Sequence, residues 1–214
     1  MCYFAGMNTA NELLDLLKQV QSISDIGLLY AKDPYDKERY EALKQLGQHM
    51  LQLLSGHDAT ALQLQYPHVK DYPTAKVDVR GLLLDEQGRL LLVKEQADGR
   101  WSLPGGWADV GQTPAEVVIK EFVEETGLVV TAERLLAVFD KRMHPHPPQP
   151  FYVYKFVFLC KAASQQLNKG FDVLDVQFFE PDQLPALSED RILASQIQLL
   201  LQRVEAGESE AYFD

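Results

Sequence analysis

Cysteine is nearly absent from this sequence: only Cys2 and Cys160 occur, too few for a disulfide framework or a zinc site. Cys160 closes a short apolar run and reads as a small buried hydrophobe. Long apolar runs are also missing. None approaches the roughly 20 residues of a membrane-spanning helix, and Phe156–Cys160 is only strand-sized. The opening Met-Cys-Tyr-Phe-Ala-Gly lacks a basic segment followed by an apolar one, so it does not read as a secretory signal and the cytoplasm is the expected compartment. Basic residues are in the minority, 20 against 31 acidic, for a formal charge of −11. That balance argues against a duplex-binding or membrane-surface role and against a stable nucleic-acid partner. An anionic small molecule stays admissible, because a divalent cation held by carboxylates reverses the local potential. Repeats and low-complexity tracts are absent too.

What is present is an ordinary globular composition: 214 residues, 46% hydrophobic and 24% charged, enough for one or two domains. Two helices open the chain. Asn8 or Thr9 is placed to cap the first, with Glu12 completing a capping box after Thr9. Leu13, Leu16, Leu17, Val20 and Ile23 follow at helical spacing. Asp33-Pro34 restarts the chain as N-cap and first helical residue. Tyr40, Leu43, Leu46, Met50 and Leu53 make the stripe of the second helix, which ends near Ser55-Gly56. Two such helices cannot bury their stripes alone, so they are expected to cover the rest of the chain or a second copy, which makes a homodimer the expected assembly. The boundaries read as a helical domain over 1–66, a linker over 67–75 with Pro67 and Pro73 nearby, and a second domain over 76–214.

Strand patterns begin at Lys76. Val77–Leu84 and Arg89–Lys94 flank Asp85-Glu86-Gln87-Gly88, which predicts a hairpin. Leu135–Phe139, Phe151–Cys160 and Val173–Phe179 are further strands, and Asp190–Val204 is a closing helix. Strands on either side of a central helix predict an α/β sandwich.

That central helix is the informative one. Thr113 is its N-cap, Pro114 comes next, Glu116 completes a capping box and Gly127 takes the left-handed C-terminal position. Val117, Val118, Phe122 and Ile119 supply a buried side. In its last turn Glu121, Glu124 and Glu125 stand at i, i+3 and i+4. Like charges at this spacing repel, and this end of a helix prefers cations. Stability alone does not select the arrangement, whereas a hard divalent cation with oxygen ligands reconciles it. The loop before the helix, Leu103-Pro104-Gly105-Gly106-Trp107, brings backbone close to whatever is bound there.

The segment resembles the Nudix box. Gly106, five residues, Gln112, seven residues and then Lys120-Glu121-Phe122-Val123-Glu124-Glu125-Thr126-Gly127-Leu128 follow its spacing over 23 positions. Two residues depart from it: Gln112 stands where the box has Glu, and Lys120 where it has Arg. The resemblance gives those two groups the task of bracing the loop and orienting the carboxylates. Lysine lacks arginine's bidentate fork, so a weaker brace is expected. The likeness extends to Ile26–Tyr30, Asp33–Tyr40, Val77–Arg80, Trp101–Gly111 and Asp140-Lys141 before His144-Pro145-His146-Pro147. These look like a subgroup with an N-terminal helical domain that hydrolyses X-linked nucleoside diphosphates.

The resemblance implies a Nudix α/β/α sandwich with a mixed sheet, preceded by that small helical domain. It implies attack of metal-activated water on a diphosphate phosphorus, giving a nucleoside monophosphate and X-phosphate. Mg²⁺ is the expected cofactor, with Mn²⁺ as the alternative. The ligands carried over are the Gly105 carbonyl, Glu121, Glu124 and Glu125, with Glu121 and Glu124 the catalytic pair and Glu124 doubling as a candidate base. Asp172 and Asp175 are candidate bases outside the box, or simple loop acids. Arg80 shares a strand face with Asp78 and either contacts phosphate or forms an internal salt bridge. Lys141 and His144, on the Pro-rich loop before Pro150, are candidate substrate contacts. Trp107 and Tyr152 either stack on a base or belong to the core. CDP-choline leads as substrate, with ADP-ribose or an ADP-sugar as rival. A nucleotide-sensing module without turnover is the alternative of another class.

Overall fold

The computed structural model describes residues 9–55, 71–149, 151–164 and 166–214. Cys2, Asn8, Gly56 and most of the Gln65–Thr74 segment lie outside them, as does the cap expected at the first helix. The described residues up to Thr74, with Pro148, Gln149 and Phe151, form one compact unit, and the remainder forms a second.

The first unit is a helical hairpin of α1 (Thr9–Tyr30) and α2 (Pro34–Ser55). Asp33 caps α2 by accepting from the Tyr35 N–H at 2.8 Å. The small core is Leu17 against Leu51, with Leu14 and Leu54 packed on it, and Lys44 pairs with Asp25 across the helices. The buried face of α2 is therefore Gly47 and Leu51, one position away from the expected stripe. Gly47 permits a close helix approach, so α2 turns that face inward. Leu46, Met50 and Leu53 stay exposed, as do Leu13, Leu16 and Ile23 of α1.

The second unit contains two sheets. Its strands are β1 (Lys76–Leu83), β2 (Leu90–Glu95), β3 (Trp101–Ser102), β4 (Gly105–Trp107), β5 (Val130–Asp140), β6 (Val153–Ala162), β7 (Val173–Phe179) and β8 (Tyr212–Phe213). Its helices are α3 (Pro114–Thr126) and α4 (Ala194–Glu205). One sheet runs β4-β1-β6-β5-β8 and the other β3-β2-β7. β1 and β6 are parallel and β1 and β4 antiparallel, so the larger sheet is mixed.

The expected hairpin is corrected. Asp85 closes its turn as predicted, accepting from Arg89 N at 2.8 Å and Gln87 N at 3.0 Å, and Leu84 bridges Leu90. Beyond that bridge the strands part into different sheets. Both have apolar residues on each face, so neither needs the other as an edge. β1 sends Val79 and Leu83 into the α3 core and Leu82 into the core of α4; β2 divides Leu91 and Val93 from Leu90 and Leu92 in the same way. Helices thus cover both faces of the strands, in the α/β/α arrangement expected.

α4 starts four residues later than predicted. Arg191 and Ile192 N–H groups first turn back onto the Ser188 carbonyl, and Leu193 is extended before the helix begins. β5 runs over Val130–Asp140, well before Leu135.

Candidate active site

α3 forms as its sequence dictates. The Thr113 side chain accepts from Glu116 N, the Glu116 carboxylate accepts from Thr113 N at 2.7 Å, and Gly127 closes the helix at φ 71°. Val117, Val118 and Phe122 fix its buried side, and Glu121 and Glu125 lie against the loop that carries Gly105 and Gly106, with Glu124 beside them on the outer side. Glu125 is 5% exposed, and its Oε2 accepts from Gly105 N at 2.9 Å. Glu121 is half-buried and Glu124 exposed.

The two glycines are constrained differently. Gly105 has φ +141°, and a Cβ there would strike the Val79 carbonyl and lie 2.8 Å from Arg80 Cα. At Gly106 a Cβ would come within 2.6 Å of Glu121 Oε1. The Glu121 carboxylate therefore packs on bare backbone.

Burial pushes the Glu125 carboxyl up to about 8, against the pull of Arg80 and the Gly105 N–H, and Glu121 and Glu95 add to the rise. Glu121 is raised as well, chiefly by burial, with Arg80 opposing and Glu124 and Asp172 adding to it. Carboxylates forced together in this way fit a hard cation, whose charge removes their repulsion. Among the described residues no three His, Cys, Asp or Glu side chains converge closely enough to hold a cation by themselves.

Gln112 is exposed. Lys120 instead ties to the loop through Asp109, Nζ to Oδ2 3.1 Å, and lies 3.9 Å from Glu124. The bond to Asp109 raises the Lys120 pKa, with Glu124 adding to it. The sequence reading missed Asp109. It lies within the quoted loop, and its only signal was a spare acid three positions before Gln112.

Behind Glu121 and Glu125 lies a buried ionic cluster. Of the two roles open to Arg80, the salt bridge is the one present. Its Nη2 is 2.9 Å and its Nε 3.1 Å from Asp78 Oδ1, and Nη1 donates to the Leu103 carbonyl at 3.1 Å. Nη1 also stands 3.4 Å from Glu95, which receives Ser102 Oγ at 2.5 Å and Arg191 Nε at 2.8 Å. Lys155, register partner of Asp78 on β6, pairs with that carboxylate too. Burial alone would raise Asp78, but Arg80 and Lys155 outweigh it and hold the carboxyl far below its usual range. Lys155, Glu95 and Arg191 were not anticipated. Lys155 alone gave a hint, as a cation at an inward position of an apolar strand.

Lys141 and His144 are likewise engaged by protein groups. The Lys141 Nζ donates to the Asp190 carbonyl at 2.7 Å, and burial, with Lys155 nearby, lowers its pKa to about 8. His144 Nε2 lies 3.0 Å from the Asp214 carboxylate. Of the outside acids, Asp175 is bound to its own strand through Val176 N and Gln177 Nε2, whereas the charge of Asp172 reaches Glu121. Lys76 lies 5.5 Å over the Trp107 ring and Arg142 6.0 Å from the Tyr152 ring.

A glycine loop, a helix ending in three carboxylates and a two-sheet α/β/α frame together make a candidate phosphate-processing site. Residues 74–200 match the NUDIX domain model, and residues 11–64 match that of the UDP-X-like, N-terminal oligomerisation domain. The chain belongs to the Nudix family and is a Nudix hydrolase acting on diphosphate bonds. It is 39% identical over 201 residues to the Bacillus subtilis protein YjhB, named provisionally as an ADP-ribose pyrophosphatase, covering 94% of this chain and 96% of that one. The crystal structure of a UDP-X diphosphatase matches at TM-score 0.61 and 39% identity, over 96% of this chain and 99% of that one. The crystal structure of an ADP-ribose pyrophosphatase from Streptococcus suis matches at TM-score 0.59 and 37% identity, over 66% of this chain and all of that one.

Proposed function

We propose that this protein hydrolyses the diphosphate of an X-linked nucleoside diphosphate to a nucleoside monophosphate and X-phosphate. The observation that carries the reading is the acidic turn of α3 set against Gly105 and Gly106, with Glu125 buried on the Gly105 N–H. Glu121, Glu124, Glu125 and the Gly105 carbonyl would hold Mg²⁺ or Mn²⁺. When bound, the cation supplies charge neutralisation and lowers the pKa of water. Glu125 orients the loop, Glu121 rests on Gly106, and exposed Glu124 is open to accept a proton from attacking water, with Asp172 as the outside candidate. Arg80 supports the carboxylates from behind, whereas Lys141 and His144 are held by Asp190 and Asp214. Direct contact with substrate requires each to leave a protein partner.

The names of the similar proteins put ADP-ribose and UDP-linked compounds beside CDP-choline, the substrate expected from the sequence. A sensing module without turnover rests on Gln112 and Lys120 alone, and against it Lys120 keeps a loop partner in Asp109. The exposed Leu46, Met50 and Leu53, with the match to an oligomerisation domain, support a homodimer through the N-terminal helices. A monomer at micromolar concentration in sedimentation rules that assembly out.

The test is phosphate release from CDP-choline, ADP-ribose and UDP-glucose with Mg²⁺ or Mn²⁺, beside Glu124→Gln. Turnover lost in the variant is the expected result; absence of metal-dependent turnover on the whole panel overturns the reading.

A further inference from the structure

Phe171 is 88% exposed, the most exposed aromatic side chain among the described residues. Its backbone is nonetheless firmly held. Gln96 Nε2 donates to the Phe171 carbonyl at 2.7 Å, and Lys169 Nζ donates to the carbonyls of Gly170 and Val173 at 3.2 Å. Asn168 N donates to the Thr126 carbonyl at 2.8 Å and Gly170 N to the Glu125 carbonyl at 2.9 Å. Gly170 lies so close that a Cβ would run into the Glu124 carbonyl oxygen. The loop thus rests on the main chain of the acidic turn itself. On the other side of Phe171 is Asp172, whose charge reaches Glu121.

An aromatic ring left in water forgoes the burial that normally stabilises it. A floppy loop could hide such a ring; this loop is pinned on both sides and keeps it outside. Trp107 and Tyr152 each lie near a cation, whereas among the described residues no ring or cation covers Phe171.

We propose that Phe171 is the stacking platform for the nucleobase of the substrate, and so a binding residue of this site. The inference rests on the nucleoside diphosphate reading above. The base is the part of such a molecule that always offers a flat π face, and stacking tolerates any base. A ribose separates base from phosphates, which suits a platform flanking the carboxylates rather than among them.

The experiment is calorimetric titration of AMP, CMP, UMP and base-free ribose 5-phosphate, with Mg²⁺, into the wild type and Phe171→Ala, Phe171→Leu and Phe171→Trp. Alanine is expected to weaken at least one nucleotide about 5- to 150-fold. Leucine recovers little, tryptophan restores binding, and ribose 5-phosphate is unaffected. The proposal is overturned if the wild type binds no nucleotide better than ribose 5-phosphate. Alanine leaving every affinity within about two-fold, or weakening ribose 5-phosphate equally, also overturns it. Melting curves check that all variants fold. Turnover of the substrate panel judges the hydrolase reading separately: nucleotide binding through Phe171 without turnover removes the hydrolase and leaves the platform.

Discussion

Asp78→Asn removes one charge from the buried cluster while keeping its shape. The Asp78 side chain is 4% exposed and serves two cations, Arg80 and Lys155. After the change Arg80 keeps Glu95 at 3.4 Å and the Leu103 carbonyl. Lys155 loses its carboxylate partner, while burial, Arg80 and Arg191 all oppose its charge. Stranding a buried charge costs about 3–5 kcal/mol. At about 2–4 °C per kcal/mol for a chain of this size, the melting temperature should fall by roughly 6–20 °C. Both tryptophans, Trp101 and Trp107, belong to the second unit, so their fluorescence follows this unit alone. Adding Lys155→Met removes the stranded ammonium, and the double variant should melt above Asp78→Asn. The pH response has a definite sign. Asp78 is depressed in the folded state, so its contribution is present above about pH 4, its unfolded value, and is lost as pH falls through the folded one. The variant should therefore lose less stability on acidification than the wild type. Melting within about 2 °C of wild type, or a double variant less stable than the sum of its singles, would refute this reasoning.

Glu125, raised to about 8, holds a proton at neutral pH when no cation is bound. Mg²⁺ binding should release close to one proton at pH 7 and tighten as pH rises towards 8, read by calorimetry in buffers of different ionisation enthalpy. The metal-free protein should also lose stability between about pH 4 and 8, where the unfolded carboxyl has already ionised and the folded one has not. Gly106→Ala should keep the fold but lower activity at least about tenfold, by pushing Glu121 aside by roughly one ångström. Gly105→Ala should instead destabilise the second unit by at least about 2 kcal/mol, because backbone, not a side chain, blocks its Cβ. Equal melting of the two variants would contradict that difference. Asp109→Asn should weaken Mg²⁺ binding by less than about five-fold, as expected of a largely exposed pair. Gln112→Glu should repair it, and failure of that repair would show that Lys120 is not what Asp109 holds.

α3 was legible in every particular because its signals are local: Thr113, Pro114, Glu116 and Gly127 lie within a few residues of what they terminate. The strand Val173–Phe179 was legible for the same reason. The β1/β2 hairpin misled because its turn chemistry is genuine, and only the apolar faces on both sides of each strand send the strands into different sheets. The stripe of α2 was misplaced because helix pairing followed Gly47, and periodicity does not weigh small residues. Among site residues, the carboxylates followed from spacing. Glu95, Lys155 and Arg191 did not, since Lys155 meets Asp78 across 77 positions, Glu95 meets Arg80 across 15 and Arg191 meets Glu95 across 96, and no local pattern records such meetings.

Glu125 joins two stretches of chain far apart in sequence. Its side chain takes the Gly105 N–H and its main-chain carbonyl takes the Gly170 N–H. A residue inserted before either contact would be transmitted to the same carboxyl group. Variation tolerated by this enzyme should therefore lie beyond those two anchors, at exposed Val110 and Phe171, where the chain changes what it faces without moving what it holds. If Phe171 carries the base, substrate contact and catalytic geometry would be separable properties, inherited on adjoining pieces of backbone.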